Sequence, residues 1–254
     1  MLDFLRHIFV MLELELRRVK HDRLELYTRV VQPILWITVF GPAMSGVRGI
    51  PTGGIPYTDY ITPGVLIQST TFTSIFFGLI MVWERETGIL KRLYVTPTSR
   101  YATVIGRSLS AGVRAIAQAL IIIPVALLIG VKFISNVLYL ISAFLIIFFA
   151  SGGFASLSIL IASFVKTRER FMGIGGALTF PLFFVSNALY PVKMMPPILQ
   201  RFATFNPLHY TVDAVRSLLI TGEFSNLPID VAAIIIFDVA VFSLATASFG
   251  KIIE

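Results

Sequence analysis

Long uncharged stretches, separated by short charged ones, run through most of the chain. A helix needs about 20 predominantly apolar residues to cross the hydrocarbon of a bilayer. Six stretches are long enough to supply one span each: 30–47, 60–83, 108–131, 133–165, 171–192 and 231–250. The fourth is too long for one upright helix, and its start near Asn136 is expected to be a loop. The pattern predicts an all-α integral membrane protein with six transmembrane helices in one domain, 1–254.

The N-terminal segment has a different pattern. Apolar residues recur there at alternating steps of three and four, and charged residues fall between them. The apolar positions are Leu2, Leu5, Phe9, Leu12, Leu16 and Val19, and the charged ones are Asp3, Arg6, Glu13, Arg17 and Lys20. This spacing predicts an amphipathic helix over 1–23 that lies in the membrane interface. Its acids argue against a signal peptide.

Composition agrees with a membrane protein. Charged residues make up 14% of the chain, against about 25% in a soluble domain. Residues of the hydrophobic set reach 56%, and cysteine is absent. A soluble globule, a disulfide scaffold and a site built on a Cys thiolate are therefore excluded as interpretations.

The net charge of +7 is explained by topology. Fifteen Lys and Arg residues fall on the N-terminal side of the six spans and five on the opposite side. The positive-inside rule then predicts that both termini are cytoplasmic. No basic face with interleaved aromatic residues is evident, so nucleic-acid binding is not expected.

Catalytic chemistry has little support in this sequence. His7, His21 and His209 have no carboxylate or second histidine at a spacing that builds a metal site. The phosphate-binding pattern GxxxxGK[ST] does not occur. We expect no catalytic, cofactor or metal site in this chain, and no ATP hydrolysis by that route.

A few polar residues fall within the predicted spans. Asp238 is near the middle of the sixth span, where a carboxylate is costly and is a functional candidate; the alternative is a structural residue bonded to hydroxyls such as Ser243 or Thr246. Gln68 accompanies a series of hydroxyl residues in the second span, which fits either helix packing or a substrate path. Arg114 is expected to extend to the cytoplasmic face, or else to pair with an acid.

The cytoplasmic loop at 84–107 is more patterned than a simple connector. Acids come first, bases follow, and a proline stops the run, an order that favours a short interfacial helix. The candidate residues of this loop are Glu84, Glu86, Gly88, Lys91, Arg92, Pro97, Ser99 and Arg100.

The outer loop at 193–230 contains its own helix signals. Asn206 can cap a helix, Pro207 suits its first turn, and Gly222 suits its end. Asp213 and Arg216 form an i,i+3 pair. Leu208, Val212, Val215 and Leu219 lie on one face of this helix. We expect one or two short half-helices on or in the outer leaflet, the companion covering 198–205.

Two motifs in these loops resemble those of ABC type 2 transporter permeases, which include the membrane subunits of daunorubicin and nodulation-factor exporters. The first is Glu84-x-Glu86-x-Gly88 followed by Val95-Thr96-Pro97-x-Ser99-Arg100. The second is Phe205-Asn206-Pro207-Leu208-x-Tyr210-x-Val212-Asp213-Ala214-x-Arg216. The second motif is the more specific, and the resemblance covers essentially the whole chain.

The resemblance implies a permease subunit in a prokaryotic cell membrane that works as a homodimer with a separate ATP-binding-cassette ATPase, which would hold ATP and Mg. It implies that the first loop couples to the ATPase and that the outer helix, with Asn206, Pro207, Tyr210, Asp213 and Arg216, gates the exit. The cargo would be an amphipathic or hydrophobic drug, lipid or glycolipid. The alternatives are a proton-coupled carrier using Asp238, a membrane-embedded enzyme and a purely structural subunit.

Overall fold

The computed structural model describes residues 2–46, 50–88 and 100–252. Within these ranges the regular structure is helical, without a β-strand. The α-helices are α1 (Leu2–His21), α2 (Arg23–Leu35), α3 (Gly41–Ser45), α4 (Tyr57–Glu86), α5 (Arg100–Ile129), α6 (Val137–Phe164), α7 (Arg168–Phe184), α8 (Pro197–Ala203), α9 (Pro207–Arg216) and α10 (Leu227–Ser248).

Four of the described helices are long and apolar enough to cross a membrane: α4, α5, α6 and α10. They coincide with the second, third, fourth and sixth predicted spans. Helix α6 begins after Asn136, whose side chain accepts a hydrogen bond from the Leu138 amide at 2.9 Å, so the loop expected there is present. Four of the predicted spans therefore correspond to helices that are long and apolar enough to cross a membrane.

The first and fifth predicted spans are less regular. Helix α2 contains Pro33 and continues through a π-helical turn, Trp36–Phe40, into the short α3. Helix α7 has 17 residues and ends at Phe184, so the expectation that it extends to residue 192 is wrong. The full count of six spans remains a prediction.

Helix α6 is the centre of the bundle and packs against α4, α5 and α10. Small buried residues on its second half, Gly152, Gly153, Ala155 and Ser156, permit this close packing. Helix α4 is also largely buried.

The hydroxyl residues of α4 serve contacts within the bundle. Thr73 donates to Gln118 Oε1 of α5 at 3.0 Å, and Gln118 donates to the Ser69 hydroxyl. The Gly78 amide donates to Ser158 Oγ of α6 at 3.0 Å. Of the two interpretations of this face, helix packing within the chain is the one these contacts favour.

Helix α1 lies against α5. Ile8 and Glu15 are buried there, and Met11 packs against Gly106, where an added Cβ would lie 2.4 Å from its sulfur. Three residues of the predicted apolar stripe, Leu5, Phe9 and Leu16, are exposed on the surface of the protein, with Phe9 67% exposed. A helix is therefore present where one was predicted, while its contact with lipid remains a prediction.

Candidate functional site

The C-terminal end of α4, which the positive-inside rule predicts to be cytoplasmic, is held by two ion pairs. Glu84 Oε2 lies 2.6 Å from Arg107 Nη2 of α5, and both side chains are largely buried. Glu86 Oε2 lies 2.7 Å from Arg168 Nε, and its other oxygen accepts the Arg168 amide at 3.3 Å. Because Arg168 opens α7, Glu86 places a negative charge at a helix N-terminus, where the helix dipole favours it. These acids therefore join α4 to α5 and α7.

This geometry changes the predicted boundary of the cytoplasmic loop. Glu84 and Glu86 belong to the last turn of α4, so the prediction that they open a separate interfacial helix is wrong. Gly88 follows with φ +72°, a left-handed conformation that suits glycine at a helix end. Arg100 begins α5. Lys91, Arg92, Pro97 and Ser99 lie outside the described residues.

A buried charge cluster next to this end was not anticipated. Arg114 Nη2 lies 2.5 Å from Glu15 Oε1, and its Nη1 lies 2.8 Å from Glu25 Oε1. Arg29 pairs with the same Glu25 oxygen at 2.8 Å. The Arg114 side chain is 6% exposed, so the expectation that it extends to the membrane surface is wrong; the alternative, pairing with an acid, is what occurs.

This cluster joins α1 and α2 to α5. Only the Glu25–Arg29 pair has a sequence signal, the i,i+4 spacing. Glu15 and Arg114 are 99 positions apart, so no local pattern connects them. Removing Arg114 would leave buried Glu15 with only its longer pair, 3.7 Å, to Arg18.

At the outer end, Asn206 connects the last turn of α7 to the first turn of α9. Its Oδ1 accepts the Leu208 amide at 3.0 Å, which caps α9. Its Nδ2 donates to the Leu182 carbonyl at 2.6 Å and to the Val185 carbonyl at 2.8 Å. These carbonyls belong to a helix end that would otherwise lack partners. Asn206 therefore caps the C-terminal end of α7, which comes earlier in the sequence than predicted.

Arg216 is the centre of the outer cluster. The buried guanidinium donates to the Asn187 carbonyl at 2.7 Å and to the Tyr60 carbonyl at 3.2 Å. It also lies 3.9 Å from the centroid of the Tyr60 ring and 3.5 Å from Asp213 Oδ1. Asp213 in turn accepts from Asn187 Nδ2 at 2.7 Å. Arg216 and Asp213 therefore hold α9 to the start of α4 and to the segment after α7.

The other motif residues support the same short helix. Pro207 occupies its first turn. Tyr210 donates its hydroxyl hydrogen to the Thr204 carbonyl at 2.6 Å. Gly222 ends the π-helical turn Ser217–Thr221 with φ +70°, so the predicted helix end is present. The companion helix α8 is present as well; it begins one residue earlier and ends two residues earlier than expected.

His209 faces the same outer cluster. Its Nδ1 is buried without a hydrogen-bond partner among the described residues. Burial lowers the pKa of His209, nearby Arg216 lowers it further, and Asp213 partly opposes both effects. The imidazole is therefore held neutral near pH 7.

The two polar residues selected within the spans lie in different surroundings. Gln68 is buried in α4. Asp238 lies in α10 against Gly153 of α6, and its Oδ1 has no hydrogen-bond partner among the described residues. Thr246, suggested as a partner, donates instead to the Phe242 carbonyl at 2.8 Å. Thr246 is therefore not a hydrogen-bond partner of Asp238.

The described fold defines a class: a helical protein that crosses the membrane several times. Within that class, the family model described as "ABC-2 type transporter" matches residues 6–220. The chain belongs to this family, as the two motifs indicated. It is therefore a membrane permease, a transport protein rather than an enzyme.

Three relatives illustrate the match. "Putative transport permease ycf38" of Cyanophora paradoxa is 28% identical over 85% of this chain and 74% of its own length. "Nodulation protein J" of Rhizobium leguminosarum bv. viciae is 23% identical over 86% of this chain and 83% of its own length. "Daunorubicin resistance ABC transporter permease protein DrrB1" of Streptomyces coeruleorubidus is 24% identical over 79% and 70%.

Proposed function

We propose that the chain is the permease subunit of an ATP-binding-cassette exporter. Two copies form the pathway, and a separate ATPase subunit that binds ATP and Mg supplies the energy. Membership of the ABC-2 family favours this mode over a proton-coupled carrier based on Asp238. The site of action is a prokaryotic cell membrane with both termini in the cytoplasm.

The main support for this proposal is that the single helix α4 connects the cluster around Arg216 at one end of the bundle with the ion pairs of Glu84 and Glu86 at the other. At one end of this helix Tyr60 lies against Arg216 of α9, and at the other end Glu84 and Glu86 hold α5 and α7. A 30-residue helix spans about 45 Å. A movement imposed by an ATPase at the cytoplasmic end would therefore be carried to the outer helix as a rigid-body shift.

A groove between α4 and α7 supports a pathway between two copies. It has a cavity volume of about 110 Å³ and is lined by apolar residues, including Phe72, Phe76, Phe171 and Met172. On α7, Gly173 and Gly176 have no atom within 4 Å of an added Cβ, so a second helix can approach closely there. The lining fits an amphipathic or hydrophobic cargo such as a drug, lipid or glycolipid.

The exposed stripe of α1 supports a position in the cytoplasmic membrane interface. Leu5, Phe9 and Leu16 face outward, while Glu15 on the opposite side is tied to Arg114. Insertion of the stripe between lipid headgroups would cover its apolar surface. In this position α1 lies against the first part of α5, the helix that follows the loop we propose as the ATPase contact.

The test is purification of the chain in mild detergent from its native membrane, followed by identification and counting of the proteins that accompany it. The proposal predicts two copies of the chain with two copies of one ATP-binding subunit. A chain that purifies alone and transports cargo in proteoliposomes under a proton gradient would instead support the carrier interpretation.

A further inference from the structure

A second polar site lies in a cleft between α5, α6 and α10. The cleft has a cavity volume of about 190 Å³, which is below the range of drug-sized sites and suits a small polar headgroup whose apolar body stays outside. Its walls include Ser108 of α5, Gly153 and Ser156 of α6, and Asp238 of α10. Phe149 and Val239 at its edge are more than half exposed, so the cleft opens on the outer surface of the bundle. None of its lining residues belongs to α4 or α7.

The carboxylate of Asp238 is the main polar group of this cleft. Its Oδ1 is buried and has no hydrogen-bond partner among the described residues. A Cβ added at Gly153 would lie 1.7 Å from this oxygen, so the glycine provides the space that the carboxylate occupies. An unpaired carboxylate at this depth is costly. Because Oδ1 is covered by α6, a ligand in the cleft would donate its hydrogen bond to the other carboxylate oxygen, which is not among the buried atoms without a partner.

The serine pair adds further acceptors. Ser108 Oγ and Ser156 Oγ lie 2.8 Å apart, and Ser156 donates to the Gly152 carbonyl at 3.0 Å. Because the single hydroxyl hydrogen of Ser156 is used in this way, Ser108 donates to Ser156. The remaining lone pairs of Ser108 can accept a hydrogen bond. The polar groups of the cleft therefore act as acceptors, while the rings of Phe149 and Phe242 border them.

The depth of the site indicates how a ligand reaches it. Ser108 lies eight residues after the start of α5 and Asp238 ten residues before the end of α10. At 1.5 Å per residue, both lie about 12–15 Å from those helix ends. Ser108 is at the start of the third predicted span and Asp238 is near the middle of the sixth. A ligand would therefore enter sideways from the lipid, with an apolar body in the membrane.

We propose that this cleft binds a membrane-dissolved amphiphile that carries a primary or secondary amine. The amine donates to Asp238 and to the serine oxygens, and a protonated amine also interacts with the flanking rings. The site lies within one copy and needs neither a second copy nor an ATPase. It therefore goes beyond the proposed function, and it can fail or hold independently of it.

The experiment is equilibrium binding of tritiated dodecylamine to the purified full chain in phosphatidylcholine nanodiscs. We expect saturable binding with one site per chain, and binding of tritiated dodecanol at least about tenfold weaker, since the alcohol cannot form a charge-assisted hydrogen bond with the carboxylate. Asp238→Asn should weaken dodecylamine binding about tenfold or more. Val239→Trp, a change at an exposed position on the edge of the cleft, should block binding without removing the carboxylate.

The matched control is Asp230→Asn, the same change in the same helix but outside the cleft, which should bind dodecylamine as the unmodified chain does. Competition by added phosphatidylethanolamine would identify the amine as a lipid headgroup, and absence of competition would identify a free amphiphile; both results support an amine site. The proposal is overturned if Asp238→Asn binds as tightly as the unmodified chain, if Asp230→Asn loses as much affinity, or if dodecanol binds as tightly as dodecylamine.

Discussion

The guanidinium of Arg216 lies 3.9 Å from the centroid of the Tyr60 ring and donates to the carbonyl of the same residue at 3.2 Å. The two residues are 156 positions apart. One belongs to the outer helix α9 and the other to the first turns of α4. This contact links α9 directly to α4, the helix whose other end holds the ion pairs of Glu84 and Glu86.

We expect Arg216→Met to destabilise the protein by about 2 kcal/mol or more, because the Asn187 and Tyr60 carbonyls lose a buried donor. Arg216→Lys should recover only part of the loss, since an ammonium cannot hydrogen-bond both carbonyls and stack on the ring as a planar guanidinium does. Thermal unfolding in detergent measures both variants. Arg201→Met, at an exposed position on α8, is the control. A similar loss of stability in that variant would show that Arg216 does not have the stabilising role assigned to it.

Asp213→Ala should weaken the attachment of α9 to the segment after α7, because the amide of Asn187 loses its acceptor at 2.7 Å. We expect a lower unfolding temperature and reduced transport by the assembled complex. Asp213→Asn keeps an oxygen that can accept the hydrogen bond from Asn187. Its unfolding temperature and transport should therefore lie between those of the unmodified chain and those of Asp213→Ala. Normal transport together with normal thermal stability in Asp213→Ala would refute the role of α9 as a gate.

Combined Glu84→Ala and Glu86→Ala should leave membrane insertion intact and abolish substrate-stimulated ATPase activity in the assembled complex. The physical reason is that α5 and α7 lose their ion pairs with the end of α4. The exchange Glu84→Arg with Arg107→Glu separates two explanations. If Glu84 acts through Arg107, the exchange restores part of the activity; if it contacts the ATPase directly, activity stays low. Unchanged stimulation in the double alanine variant would contradict the coupling role.

Arg114→Gln should destabilise the protein by about 3 kcal/mol, because buried Glu15 would lose its close charge partner and keep only the longer pair, 3.7 Å, with exposed Arg18. Faster hydrogen exchange in α1 would show that this helix detaches from α5. Arg17→Gln breaks the exposed Glu13–Arg17 pair within α1 and should change stability little. Equal exchange rates in the two variants would show that the cluster does not hold α1.

His209 should contribute less to the stability of the outer cluster in acid. Burial lowers the pKa of His209, so the folded protein holds the neutral imidazole and protonation of this residue favours unfolding. The contribution of His209 to stability should therefore decrease as the pH falls below about 6.5, the ordinary histidine value. Thermal unfolding between pH 7.5 and 5.5 measures this, and His209→Gln should reduce the dependence. An unchanged pH profile in that variant would show that another group is responsible.

Local signals in the sequence predicted local structure well. Asn206 caps α9, Pro207 begins it and Gly222 follows it, as their preferences indicate. Uninterrupted apolar length predicted α4, α5, α6 and α10. These features depend on neighbouring residues alone.

Contacts between distant positions could not be predicted in the same way. Nothing near Arg114 indicates Glu15, and nothing near Arg216 indicates Tyr60 or Asn187. The end of α7 was misjudged for the same reason, because Asn206 supplies its capping donors from a later element. The extent of α4 was misjudged because charged residues were expected to end a span, whereas Glu84 and Glu86 are paired and continue the helix.

The most direct test of the account is a distance measurement between the outer helices of two copies. The chain has no cysteine, so Phe205→Cys, at a position that is 86% exposed, provides a single spin-label site. Double electron–electron resonance on the assembled complex should give one interspin distance that shifts when ATP and vanadate trap the ATPase. In Glu84→Ala with Glu86→Ala the shift should disappear. Absence of a dipolar signal, or a distance unaffected by trapping in the otherwise unmodified chain, would contradict an ATP-driven homodimer.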